Sequence, residues 1–415
     1  MSTGTTSPIG QVVELEVGPV AHGGHCVSRL DGRVVFVRHA IPGERVRAVV
    51  TEGDDADRYL RADAVEILAP SPDRVAAPCP YAGPGRCGGC DYQHVALAAQ
   101  RSMLAAVVHE QLLRLAGLDR RVVVEPVPGD EEGLGWRTRV RFVVDGDGAC
   151  GLRRHRSHDV ERVDRCLIGH PGLPPVTDHR WRGVTSVEAV VSGTGEQLIV
   201  VEPGVSDTAR LPAMPGVSVL RSDGARVRGR TYVEERAAGR TWRVAGNGFW
   251  QVHPGAAETL SRAVLDAVRP RPGERVLDLY GGVGLFAGAL ADAVGASGQV
   301  TTVESDRRAS ADARRNLHSV PNLRIVQGRV ERVVTGEPVD VVVLDPPRTG
   351  ARRRVVEAIA DMSPRAIGYV ACDPAALARD VATFITRGYV LSSLRAFAMF
   401  PMTHHVECVA LLEPG

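Results

Sequence analysis

The chain contains no lysine: all 50 of its basic residues are arginine, set against 49 acidic ones for a formal net charge of +1. So even a balance gives no sign of a polyanionic partner held by bulk charge. Arginine, however, grips phosphate bidentately and stacks on bases, so the bias does not count against RNA. Compositional drift in the source genome is the simpler cause of it. No run of 18 apolar residues exists, and residues 1–11 are polar without a charged-then-apolar leader, so no membrane span is expected and the expected address is the cytoplasm. Internal repeats and low-complexity tracts are also missing. The eight cysteines are too few, and the chain too large, to read as a disulfide framework.

What is present is length and pattern. With 415 residues, 44% of them hydrophobic, two to four domains with real cores are expected. Three apolar runs end alike: Arg275 to Leu279 runs into Tyr280-Gly281-Gly282-Val283-Gly284, Val339 to Leu344 into Asp345-Pro346-Pro347-Arg348, and Ile367 to Ala371 into Cys372-Asp373-Pro374. Buried strands alternating with helical patterns predict an open α/β sheet over residues 246–415, with its ligand crevice along the carboxyl ends of the strands. An antiparallel strand, Val406 to Leu412, is expected to close it.

Residues 1–68 alternate in short runs joined by Gly-rich turns, which predicts a barrel of about five strands. Residues 69–245 read as a central domain. It opens with Cys79-x7-Cys87-x2-Cys90, three soft ligands in twelve residues, with Cys166 the best candidate for a fourth. Spacing leaves zinc and 4Fe-4S equally open. A helix is predicted from Tyr92 to Ala116, packing on the catalytic domain, and antiparallel sheet from 121 to 245. In Arg137, Arg139 and Arg141 period two puts three guanidinium groups on one face, a surface that suits a phosphate backbone or is simply solvated.

The loop at Gly281, Gly282 and Gly284 lets a ligand approach backbone at a helix N-terminus, but it is not the dinucleotide fingerprint. Glu304, 26 residues after Asp278, is placed to accept ribose hydroxyls, which on its own leaves NAD open. A rigid Asp-Pro-Pro at a strand end, beside an extruded base, argues instead for S-adenosylmethionine.

The run from Glu14 to Val50 closely resembles the TRAM domain, an OB-like RNA-binding barrel. From Gly248 onward the chain resembles the RNA uracil-5 methyltransferases, class I S-adenosylmethionine enzymes. The matching motifs are Phe249-Trp250-Gln251-Val252, the Gly-rich loop, Val303-Glu304, the Asp345 and Cys372 motifs, and Phe400-Pro401-x-Thr403-x-His405-Val406-Glu407. The resemblance implies Cys372 as nucleophile toward carbon 6 of uracil and Glu407 as acceptor of the carbon 5 proton. It implies Gln251, Tyr280, Glu304 and Asp345 around the cofactor, with Asp345 also suited to the uracil edge. It makes Arg29, Arg33, Arg38 and Arg45 candidate phosphate contacts, and it selects 4Fe-4S for Cys79, Cys87, Cys90 and Cys166. The thiol of Cys372 is expected to have a depressed pKa before a helix N-terminus.

Large-subunit rRNA is the expected substrate, because the family's tRNA members commonly lack barrel and cluster. Methylation of the tRNA T-loop uridine is the alternative, and a non-catalytic RNA-binding protein or chaperone the rival of another class. No obligate protein partner is expected. One spacing and four positions depart from the family. The first cysteine spacing is longer than usual, and Gly281 and Leu285 replace a Cys and a polar residue. Arg329 stands where an acid near the adenine is expected, and Ala398 stands where Asp is usual.

Overall fold

The structure is a computed structural model and describes residues 8–54, 57–130, 132–204, 211–334 and 337–415; the extreme N-terminal residues read above as polar lie partly outside these. Strands β1 (Val12–Glu16), β2 (Val20–Ala21), β3 (His25–Leu30), β4 (Arg33–Arg38), β5 (Arg45–Glu52) and β6 (Tyr59–Ala69) form one sheet in the order β1-β5-β6-β4-β3-β2. Six strands, not five, are present because the Gly-rich turn folds the short β2 back onto β3. Period-two alternation sends Val35, Val37, Val46 and Leu60 inward. Arg38 corrects the reading of barrel arginines as phosphate contacts: it is buried at the end of β4, 3.4 Å from Asp91. Arg33 donates to the carbonyls of Asp54 and Asp57 and Arg29 to that of Gly32, while Arg45 is exposed.

Helix α1 (Leu97–Ala116) starts later than expected, because Asp91 and Tyr92 both donate backbone N–H groups to the Met402 carbonyl and so hold a turn there. It ends on Gly117 in the left-handed conformation, as a C-cap favours. Its buried stripe of Leu104, Val108 and Leu112 lies in one core with α7, introduced below. The following strand, β7 (Val124–Pro126), was not foreseen as part of the catalytic sheet, yet it adds to that sheet's edge.

The central sheet joins β8 (Arg139–Val144), β9 (Cys150–Arg153), β10 (Val160–Arg162), β11 (Val184–Val191), β12 (Gln197–Pro203), β13 (Ser218–Arg221) and β14 (Arg226–Arg228) in the order β10-β9-β8-β11-β12-β13-β14. The three-arginine face is corrected here. Arg139 is buried and donates to the carbonyls of Gly246 and Gly248, Arg141 pairs with Glu188, and Arg137 turns back to the Arg139 carbonyl. A hairpin, β15 (Tyr232–Ala237) and β16 (Arg240–Ala245), then buries Trp242 in the core that holds Phe286 and Leu290.

The C-terminal region runs α2 (Ala256–Val268), β17 (Arg275–Leu279), α3 (Leu285–Val294), β18 (Gln299–Glu304), α4 (Arg307–Asn316), β19 (Leu323–Gln327), α5 (Val330–Val333), β20 (Val341–Leu344), α6 (Arg353–Asp361), β21 (Ala366–Ala371), α7 (Pro374–Thr386), β22 (Tyr389–Ala398) and β23 (Glu407–Pro414). Its eight-stranded sheet has the order β19-β18-β17-β20-β21-β23-β22-β7. The strands from β19 to β21 are parallel, and β23 is inserted antiparallel. Strand order reverses between β17 and β20, which opens a crevice at their carboxyl ends.

Candidate active site

That crevice is a cavity of about 750 Å³ lined by Gln251, Tyr280, Glu304, Asp345, Cys372 and Glu407, so all six residues singled out for catalysis or cofactor contact face one space. Each arrives on a different element. Tyr280 follows β17 in a left-handed backbone (φ 62°), a strained conformation for a ring-bearing residue that turns the chain sharply at the mouth. Glu304 ends β18, and its Oε2 accepts the Gly282 N–H at 3.0 Å, which ties the Gly-rich loop to the second strand. Asp345 and Cys372 leave the adjacent strands β20 and β21, and Glu407 begins β23, which pairs with β21.

The Gly281 departure has a physical explanation. A Cβ at that position would lie 1.9 Å from Thr302 Oγ1 and 2.7 Å from Asp278 Oδ2. Those two side chains bond each other at 2.8 Å, filling the space a larger residue would need. Asp278 is fully buried, and burial together with Asp345 and Glu304 pushes its carboxyl up to about 7. Leu285 is buried as the first residue of α3, and Ala398 is buried at the end of β22. Arg329 is exposed and is not among the residues lining the cavity.

Electrostatics correct one expectation. The Cys372 thiol is not depressed; burial, then Glu407 and Asp345, push it up to about 12. The helix N-terminus that was expected to lower it is capped by Asp373, whose Oδ1 accepts the Ala376 N–H at 2.7 Å. Asp345 and Glu407 are both held above the ordinary carboxylate range, by burial and, for Glu407, by Asp345 as well. Arg348, the cation that lowers both Cys372 and Glu407, approaches His405 Nε2 at 3.4 Å. Burial, His404 and Arg348 depress His405 to about 3, so it is neutral and can accept from the guanidinium. Arg348, His405, Thr403 and the exposed Phe249 also line the cavity; each lies inside a quoted motif, but sequence alone gave none of them a role.

A second cavity, about 410 Å³, is lined by Cys79, Cys87, Cys90 and Cys166 together with Arg137, Arg154 and Arg165. The four thiols lie within electrostatic reach of one another. Among the described residues no group of three or more His, Cys, Asp or Glu side chains is arranged to hold a metal ion. Cys26 and Cys150 are buried in β3 and β9.

A parallel sheet with a Gly-rich first loop, an acid ending the second strand and an antiparallel last strand is the fold of class I methyltransferases. The TRAM domain family matches residues 7–65, the tRNA (uracil-5-)-methyltransferase family residues 329–414, and the methyltransferase small domain residues 256–368. A Streptomyces avermitilis protein described as an uncharacterized RNA methyltransferase is 54% identical, covering 98% of this chain and 99% of its own. A Bifidobacterium longum protein of the same description is 39% identical over 96% of both chains. The crystal structure of the Pyrococcus abyssi tRNA (uracil-54, C5)-methyltransferase with S-adenosyl-L-homocysteine superimposes with a TM-score of 0.71 at 22% identity, covering 96% of this chain and 99% of that one. The chain belongs to the TRAM-containing RNA uracil-5 methyltransferases, enzymes that take their methyl group from S-adenosylmethionine. Among the described residues no helix is long and apolar enough to cross a membrane.

Proposed function

We propose that the protein methylates carbon 5 of a uridine in structured RNA through a transient bond between Cys372 and the uracil ring. The observation that carries this reading is the shared cavity of Cys372, Asp345 and Glu407, a nucleophile and two carboxylates on three neighbouring strands. Bound S-adenosylmethionine supplies an electrophilic methyl group, and Gln251, Tyr280 and Glu304 are the residues that hold it. Carbon 5 of uracil is a weak nucleophile. Addition of the Cys372 sulfur to carbon 6, with the thiol proton passing to water in the cavity, makes carbon 5 an enolate carbon able to take the methyl group. Glu407 removes the carbon 5 proton, and the electron pair left behind expels the sulfur. Asp345, its carboxyl held above the ordinary carboxylate range by burial, faces the uracil edge. Arg348, steadied by His405, offsets negative charge as the thiolate forms. The base must leave its stack to enter, at a cost of roughly a few kcal/mol.

Large-subunit rRNA is the favoured substrate on the barrel and the cysteine cavity. The tRNA T-loop uridine is the second reading, since an archaeal tRNA enzyme shares this fold over 96% of the chain; a likeness of that kind carries fold and not substrate. Nucleoside mass mapping of rRNA and tRNA from a deletion strain tests both. Loss of 5-methyluridine from rRNA supports the first, and loss from tRNA with rRNA intact overturns it.

Cys79, Cys87, Cys90 and Cys166 are the ligands of a 4Fe-4S cluster on this reading. Four soft donors around a common cavity suit it. Site and substrate together make the cytoplasm its place of work.

A further inference from the structure

Within residues 1–69 the sequence has two Phe, Tyr or Trp residues, Phe36 and Tyr59. The barrel interior uses neither of them. Alternation buries Val35, Val37 and Leu60 and leaves Phe36 and Tyr59 on the outer face. There they meet across adjacent strands, since β4 lies between β3 and β6. His25 and Phe36 are 5.1 Å apart between ring centroids, and Phe36 and Tyr59 are 5.4 Å apart, both edge-to-face. The Arg61 guanidinium carbon sits 5.4 Å from the Phe36 centroid and 5.5 Å from that of Tyr59. Tyr59, at the open end of the row, is 46% exposed.

The other end of the row reaches the active site. Three residues before His25, His22 Nε2 lies 3.1 Å from Asp373 Oδ2, beside Cys372. A Cβ on Gly24 would stand 2.9 Å from the Cβ of His404, in the loop that leads to Glu407. The turn from which this row begins therefore stands beside Cys372 and the loop that leads to Glu407.

We propose that His25, Phe36, Tyr59 and Arg61 form a stacking site for an unpaired nucleotide flanking the target uridine. Every base has a π-face, so a ring row with a guanidinium beside it holds nucleotides without reading sequence. The same physics lets aromatic side chains on an open sheet face capture splayed bases in single-stranded RNA. The pair Arg61–Glu52 (3.6 Å) keeps the guanidinium in place, and Glu52 is shared with Arg156 at the rim of the cysteine cavity. This site rests on the RNA reading above and adds to it where the neighbours of the target lie.

The test is binding of fluorescein-labelled oligouridylates to the full-length protein with its metal content intact, using one probe of about ten nucleotides and one of three. Tyr59→Ala should weaken the longer probe about tenfold and leave the shorter one within twofold, with the salt slope unchanged. Arg61→Ala should weaken the longer probe in the same way. Tyr59→Phe, which keeps the ring, should bind as wild type, and this separates loss of stacking from loss of fold. Equal weakening of both probes, or an effect under twofold on the longer one, overturns the site, the latter pointing to a protein partner or none. Failure of the wild-type enzyme to form 5-methyluridine in any RNA would sink the functional reading instead, and that result is read independently.

Discussion

Asp91 Oδ2 lies 2.6 Å from His404 Nδ1, and through that contact the cysteine loop holds the loop that ends in Glu407. Asp91 follows Cys90 directly, also accepts the His404 backbone N–H at 3.1 Å, and faces Arg38 of the barrel at 3.4 Å. Its own N–H donates to the Met402 carbonyl, where the backbone is left-handed at φ 68°. Three regions of the chain thus meet on one carboxylate.

Asp91→Asn keeps the shape and removes the charge. It should lower kcat about tenfold with little change in KM for S-adenosylmethionine, and hydrogen exchange should quicken across residues 400–407. Unchanged kcat with unchanged exchange would contradict the link.

The buried thiol gives a pH test. With Cys372 pushed up to about 12, its alkylation by iodoacetamide in the RNA-free protein should rise about tenfold per pH unit from about pH 7 to about pH 10 without a plateau. Peptide mass mapping isolates this cysteine from the other seven. A plateau below about pH 8 would show a thiolate already stabilised in the resting enzyme.

Asp278 gives a stability test with a definite sign. Its folded-state pKa, raised from 3.8 to about 7, means the native state binds this proton more tightly than the unfolded one. The associated stability is present below about pH 4 and lost as pH climbs through about 7. Asp278→Asn has no such proton, so its Tm relative to wild type, both free of S-adenosylmethionine, should gain a few degrees between pH 4 and pH 8. A difference that shrinks with pH would refute the assignment.

The cysteine cavity is tested by composition. Anaerobically prepared protein should hold iron and acid-labile sulfide in equal amounts, and Cys166→Ser should lose most of both along with several degrees of Tm. Stoichiometric zinc without sulfide would contradict the cluster.

Much of the site was legible because an α/β sheet aligns the carboxyl ends of its strands. A motif at the end of β17, β18, β20 or β21 must then face one crevice, whatever else the fold does. Cys372 and Asp345 could therefore be placed together across 27 residues of sequence. What was hidden depended on distant packing. Arg139 reads as a surface residue by alternation, yet the Gly246 and Gly248 carbonyls lie over it. Arg38 reads as a phosphate contact until Asp91, from another region, closes on it. The thiol's environment differs from the expected one because Asp373 caps the helix N-terminus and burial, with the two carboxylates in the cavity, outweighs what is left of the helix's field.

The covalent step is most directly measured by denaturing mass spectrometry of Glu407→Gln protein incubated with S-adenosylmethionine and substrate RNA. Without the base, proton removal fails after methyl transfer, so methylated RNA should remain attached to the peptide carrying Cys372, and Cys372→Ala in the same background should abolish the adduct. Methylated RNA released freely by Glu407→Gln, or 5-methyluridine formed by Cys372→Ala within tenfold of the wild-type rate, would contradict the mechanism.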